Sequence, residues 1–171
     1  MHFSHHAPAG IVWISPAAFG AAALIQGAPR RAEQDRRWPA MLRKLKGLRK
    51  RGRRSIRIVD ARCGNGDLLM LAVRRARELG FLAIEGRGVD ADPDRIAAAR
   101  RRLAHETDPA IGLVFEQGEM DRALEEEADF PVDLLLCAGR ADEQRRLARL
   151  ARMAGDTVLW HDADAEGRAR P

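Results

Sequence analysis

Cysteine is scarce in this sequence. Cys63 and Cys137 are the only two, too few for a disulfide framework, so the sequence predicts a protein of the reducing cytoplasm. Long hydrophobic runs are lacking as well. Residues 11–25 are mostly apolar, but Pro16 interrupts them, no Lys or Arg precedes them, and the run falls short of the ~20 residues of a membrane span. No cleavable leader and no membrane partner are expected, and a cap helix or a lid over a site is the reading of that segment. Internal repeats and low-complexity linkers are also missing. Lysine is nearly absent, with 3 residues against 27 arginines, which reads as a general coding bias and not as the selection of one surface.

What is present suits one globular domain. The 171 residues are 46% hydrophobic, enough for a sizeable core with little room for a second. Charge is uneven: 13 Lys or Arg stand between Arg30 and Arg57 against only Glu33 and Asp35, so that stretch carries +11 and the rest of a +5 chain carries −6. A basic arm on an acidic domain could hold the phosphates of a nucleic acid by counterion release. The same stretch supports a plainer reading, because Trp38, Met41, Leu42, Leu45 and Leu48 recur at helical spacing and make an amphipathic helix over residues 39–50 with a solvated basic face. Division at residue 54 separates an apolar segment and basic arm (1–54) from the domain that follows (55–171). The cluster His2, His5 and His6 lies at a terminus that offers a metal no fixed geometry, and no metal site is expected.

The organising stretch is Ser55-Ile-Arg-Ile-Val-Asp-Ala-Arg-Cys-Gly-Asn-Gly-Asp67. Ile56, Ile58 and Val59 predict a buried strand, Gly64 and Gly66 a turn that comes close to a ligand, and Leu68, Leu69, Leu71, Ala72, Ala76 and Leu79 a helix ending at Gly80. Strand, glycine turn and helix begin a nucleotide-binding βαβ unit, whose free amides and helix dipole receive an anionic or hydroxyl-rich ligand. Phe81 to Ile84 start a second apolar segment that Glu85, Gly86 and Arg87 interrupt and Gly88-Val89-Asp90 finishes. Asp92-Pro93 caps a helix with Ile96, Ala97, Ala99 and Leu103 on its apolar side and Arg100, Arg101 and Arg102 largely toward solvent. Ile111 to Phe115, Val132 to Cys137 and Thr157 to Trp160 predict three more strands, the fourth buried on both faces. Leu147, Leu150, Ala151 and Met153 mark a helix before the fifth. Five strands separated by helices predict an α/β, doubly wound, mainly parallel sheet with its ligand beyond the carboxyl ends of the strands.

Val59-Asp-Ala-Arg-Cys-Gly-Asn-Gly66, Gly88-Val-Asp90, Gln117-Gly-Glu119 and Val132-Asp-Leu-Leu-Leu-Cys137 resemble, in order and spacing, the successive motifs of class I S-adenosylmethionine-dependent methyltransferases, over about residues 55–161. The resemblance implies a Rossmann-like fold, S-adenosylmethionine as cofactor and methyl transfer to an acceptor, most simply a small molecule. It places the turn containing Asp60, Arg62, Cys63, Gly64 and Gly66 against the methionine part of the cofactor. It gives Asp90, with Ala91 beside it, the ribose hydroxyls, Glu119 the adenine amino group and Met120 the ring face. Cys137 falls at the end of the fourth strand next to the same site.

Two departures stand out. Arg62 occupies a position where the family usually has glycine, so its side chain must turn outward, reach the cofactor carboxylate or block the pocket. The sequence also stops about ten residues after its fifth strand, where the family usually adds two more. The exposed edge would be covered by the N-terminal arm or by another chain, a homo-oligomer included. The alternative function is a non-catalytic methyltransferase-like protein that binds RNA or a protein partner. No catalytic residue is assigned: Cys137-Ala-Gly-Arg140 lacks both the Asn/Asp-Pro-Pro-aromatic motif and a Pro-Cys pair, and His161 with Asp162 is a candidate base and orienting acid only for a hydroxyl acceptor. A nicotinamide site is disfavoured because Leu69 stands where its fingerprint wants a third small residue.

Overall fold

The computed structural model describes residues 32–162. The histidine cluster, the apolar stretch of residues 11–25 and the end of the chain lie outside them. Ten elements alternate along the described residues: α1 (Trp38–Lys50), β1 (Ser55–Asp60), α2 (Asp67–Glu78), β2 (Ala83–Asp90), α3 (Pro93–Leu103), β3 (Ile111–Gln117), α4 (Met120–Ala128), β4 (Leu134–Gly139), α5 (Ala141–Ala154) and β5 (Val158–Asp162). The strands form one sheet in the order β3-β2-β1-β4-β5, and every pairing is parallel. Among the described residues the sheet stops at β5, without the two further strands usual in methyltransferases.

Period-two alternation splits the strands between two cores. Ile56 and Ile58 of β1 and Leu134 and Leu136 of β4 pack with α1, α2 and α3 on one face. Val59, Leu135 and Cys137 pack with α4 and α5 on the other. Neighbouring residues therefore serve opposite cores, and this is why β4 reads as an unbroken apolar run. Asp92 caps α3 as its sequence predicts, accepting hydrogen bonds from Asp94 N at 2.9 Å and Arg95 N at 3.3 Å, with Pro93 in the first turn.

The second strand differs from its sequence reading. Glu85, Gly86 and Arg87 do not interrupt it but pair in register with β1 and β3. A side chain at Gly86 would lie 2.6 Å from Leu113 Cδ1 and 3.1 Å from Val73 Cγ1, so the missing Cβ lets α2 lie down on the sheet. Phe81 is not in the strand; it is fully buried ahead of it, while Leu82 is exposed. Helix α4, short and largely acidic, is unassigned in the sequence reading.

The basic stretch is part of the body. Trp38, Met41, Leu45 and Leu48 of α1 belong to the same cluster as Ile56 and Leu69. Several of its cations turn inward: Arg49 donates to Leu79 O at 3.1 Å and stacks 5.5 Å over the Phe81 ring, Arg53 pairs with Asp133 at 2.8 Å, and Arg57 pairs with the buried Glu127 at 2.7 Å. Arg36, Arg43, Lys46 and Arg54 stay exposed. No described helix is long and apolar enough to cross a membrane.

Met41 is completely buried, so Met41→Ala is expected to lower unfolding free energy by about 2–5 kcal/mol in urea titrations. A loss below about 0.5 kcal/mol, the usual scale of surface changes, would contradict the docking of α1.

Candidate functional site at the carboxyl ends of the strands

Parallel register brings the strand ends to one edge. Asp60 lies beside Gly88, Asp90 beside Gln117, and Gly139 beside Asp162. The strand order reverses direction between β1 and β4, which makes that gap the switch point of the sheet. Each flank of β1 has its own character.

On the β2 and β3 side a cleft of about 270 Å³ is lined by Ala61, Arg62, Asp90, Ala91, Asp92, Arg95, Gly118, Glu119 and Met120. That is slightly below the ~300–1,000 Å³ of drug-sized ligand pockets, so it suits about a nucleoside. Asp90 forms its inner wall. Its Oδ2 accepts from Gly64 N at 2.8 Å and its Oδ1 from Asp92 N at 3.0 Å, and each carboxylate oxygen keeps a lone pair for another donor. Gly64 adopts φ 56° with nothing within 4 Å of a would-be Cβ, so its backbone borders open space. Glu119 is exposed at the start of α4 and Met120 is buried behind it.

A larger groove of about 490 Å³ adjoins this cleft, sharing Gly118 and Glu119. Its charged groups satisfy one another: Arg87 pairs with Glu116 at 2.8 Å, Glu126 at 2.6 Å and Glu127 at 2.9 Å. The smaller cleft, which Asp90 lines at the end of β2, is the better candidate despite its size.

Gly66 serves packing. A Cβ there would lie 2.5 Å from Phe115 Cζ, and one at Gly88 would lie 2.5 Å from Phe115 Cδ1. The Phe115 ring thus occupies the room that both glycines leave. Cys63 is buried beneath the turn, its N–H donating to Val89 O at 2.9 Å, and burial pushes its thiol well above the usual range. Cys137 is wholly buried in the second core; burial pushes its thiol up to about 12, so it stays protonated and unreactive near neutrality. Of the sequence-derived residues, Arg62, Asp90, Ala91, Glu119 and Met120 line the cleft and Gly64 is hydrogen-bonded to Asp90, whereas Asp60, Cys63, Gly66 and Cys137 do not line it.

The β4 side is filled by two arginines. Arg37, at the entry to α1, is 8% exposed and reaches Cys137 O at 3.1 Å and Asp60 at 3.8 Å, while Asp35 holds it from outside at 2.8 Å. Burial raises the Asp60 carboxyl, and the Arg37 charge only partly offsets that. Arg62 turns out of the glycine turn and forms a two-pronged pair with Glu143 in the first turn of α5, at 3.0 Å and 2.7 Å. His161 and Asp162 end β5 beside Ala138 and Gly139, and His161 lies within electrostatic reach of Asp35.

Sequence reasoning missed Arg37, Phe115 and Glu143. For Glu143 the available signal is Gly139: a Cβ there would meet Glu143 Oε2 at 2.5 Å. Arg37 is hidden among the exposed cations of its stretch, and Phe115 reads as an ordinary strand residue.

No protein-family model matches the sequence, and no curated protein matches it. Solved structures do match. The cyclopropane synthase MmaA2 from Mycobacterium tuberculosis superposes with a TM-score of 0.53 at 17% identity, over 78% of this chain and 41% of that one. The bifunctional kinase-methyltransferase WbdD superposes with a TM-score of 0.53 at 16% identity, over 79% and 29%. This chain spans less than half the length of either. At such identities the likeness is one of fold: the chain has the Rossmann-like fold of class I S-adenosylmethionine-dependent methyltransferases.

The buried pair gives a pH-dependent prediction. Arg37→Met keeps the volume and removes the charge, which should cost about 3 kcal/mol at pH 7 because a buried carboxylate loses its partner. Burial already holds Asp60 above its unfolded value, so the folded protein binds that proton more tightly and the variant's deficit shrinks as pH falls through the raised value toward ~4. Urea midpoints of the variant and wild type at pH 7 and pH 4.5 measure it, and a deficit that grows toward acid would contradict the assignment.

Proposed function

We propose that this protein binds S-adenosylmethionine in the cleft at the carboxyl ends of β1, β2 and β3 and transfers its methyl group to a small-molecule acceptor. The observation that carries the reading is the open cleft lined by the Asp90 carboxylate, which the Gly64 N–H holds in place from the glycine turn. The residues fit the nucleoside part. Asp90 retains lone pairs for two ribose hydroxyls, Glu119 offers an acceptor for the adenine amino group, and Met120 and Ala91 supply apolar contact.

The cofactor, when bound, supplies an activated methyl group on a sulfonium. What the chain contributes is position. The turn and Asp90 are tied together by the Gly64 hydrogen bond, so the strand ends that would orient the ribose are rigid before any ligand arrives, and alignment of acceptor and methyl group supplies much of the acceleration. No general base is required by this chemistry. His161 and Asp162 would assist only an acceptor that loses a proton, such as a hydroxyl. With both cysteines buried and protonated, neither serves as a nucleophile.

Calorimetry with S-adenosylmethionine and S-adenosylhomocysteine tests the reading. Each hydrogen bond to the charged Asp90 is worth roughly 1.5–3 kcal/mol, so Asp90→Ala is expected to weaken either ligand by about tenfold or more. Wild-type protein that binds neither would contradict the function, and unchanged affinity in the variant would take Asp90 out of the site.

A further inference from the structure

The two flanks of β1 are unequal in a way that bears on which ligand the cleft accepts. The β2 side is open, whereas the β4 side is crossed by the Arg62 and Glu143 pair lying on the end of β4. Gly139 makes room for it: a Cβ there would stand 2.5 Å from Glu143 Oε2 and 3.0 Å from Arg62 Nη1. Glu143 Oε2 also accepts from Arg140 N at 3.2 Å, so one carboxylate ties the β1 turn to the first turn of α5. The pair is only partly buried, with side-chain exposures of 38% and 25%. Arg62 lines the cleft and lies within electrostatic reach of Asp90 and Glu119.

A guanidinium at the rim of a nucleoside-sized cleft, with its planar fork filled by a carboxylate from the same chain, has the form of a receptor holding a stand-in. We infer that Glu143 keeps the place of a ligand carboxylate. An adenosine derivative carrying a carboxylate at the far end of its 5′ substituent displaces Glu143 from Arg62, and the fork exchanges one two-pronged partner for another of the same geometry. The inference rests on the proposed nucleoside site and adds how that site selects among nucleosides. The Glu143 side chain is already a quarter exposed and can return to water, so the exchange leaves no buried charge unpaired. In the absence of ligand the internal pair holds the receptor closed, and apparent affinity falls by the fraction of molecules in which Arg62 is open.

Two probes separate the parts. S-adenosylhomocysteine carries the carboxylate, and 5′-methylthioadenosine has the same nucleoside and sulfur without the amino-acid end. Calorimetry of the full chain is expected to show Glu143→Gln binding S-adenosylhomocysteine about threefold or more tighter than wild type, with methylthioadenosine changed by less than about twofold. Glu143→Ala should behave alike, which covers any bond the glutamine keeps. Arg62→Gln should weaken S-adenosylhomocysteine about tenfold, the worth of a charge-assisted contact, and again leave methylthioadenosine unmoved, which shows that the variant is folded. An affinity ratio of the two probes that is the same in all four proteins overturns the exchange while leaving the nucleoside site standing. Failure of both probes to bind any of the proteins contradicts the nucleoside site, and the exchange with it.

Discussion

A carboxylate buried at the end of the central strand sets the terms for everything around it. Asp60 is 1% exposed, and a charge taken out of water must find a partner or a proton. The partner is Arg37, which also spans to β4 through Cys137 O. That demand explains why the chain ahead of β1 is folded onto the body and not left in solvent. Once Arg37 is anchored, Trp38, Met41, Leu45 and Leu48 follow at helical spacing onto α2, and the positive stretch becomes a packed helix with its cations divided between internal carboxylates and water.

The same edge of the sheet is divided by packing into an open half and a closed half. Phe115 fills the space above Gly66 and Gly88, and so presses the turn toward Asp90 from behind. Asp90 answers by accepting Gly64 N and Asp92 N, which fixes both turns around one carboxylate. Across β1 the arginines take over, with Arg37 inside and Arg62 with Glu143 on top. In this protein the methyltransferase fold therefore sets a nucleoside-sized cleft on one side of β1 and two arginines on the other.

The sequence made most of this architecture legible, for identifiable reasons. β1 and β4 are buried on both faces, and Ile56, Ile58, Val59 and Leu134 to Cys137 announce them by composition alone. Asp90 ends β2 and Glu119 follows the end of β3 by two residues, and the apolar residues of both strands fix where they stop, so the place of the two acids at the cleft could be read. The second strand could not be read as one piece, because Gly86 breaks the apolar pattern for the sake of Leu113 and Val73, residues far away in sequence. Gly66 looks the same whether it makes room for a ligand or for Phe115, and only the fold tells the two apart. Arg62 was legible as an anomaly, but its partner was not: the choice of Glu143 depends on how α5 starts over Gly139.

The most direct measurement is a crystal structure of the protein grown with S-adenosylhomocysteine at saturating concentration. The account predicts the ribose hydroxyls on Asp90, the adenine between Glu119 and Met120, and the ligand carboxylate on Arg62 with Glu143 turned to solvent. A ligand seated in the groove beside Arg87, or a cleft that stays empty with the Arg62 and Glu143 pair intact, would contradict it.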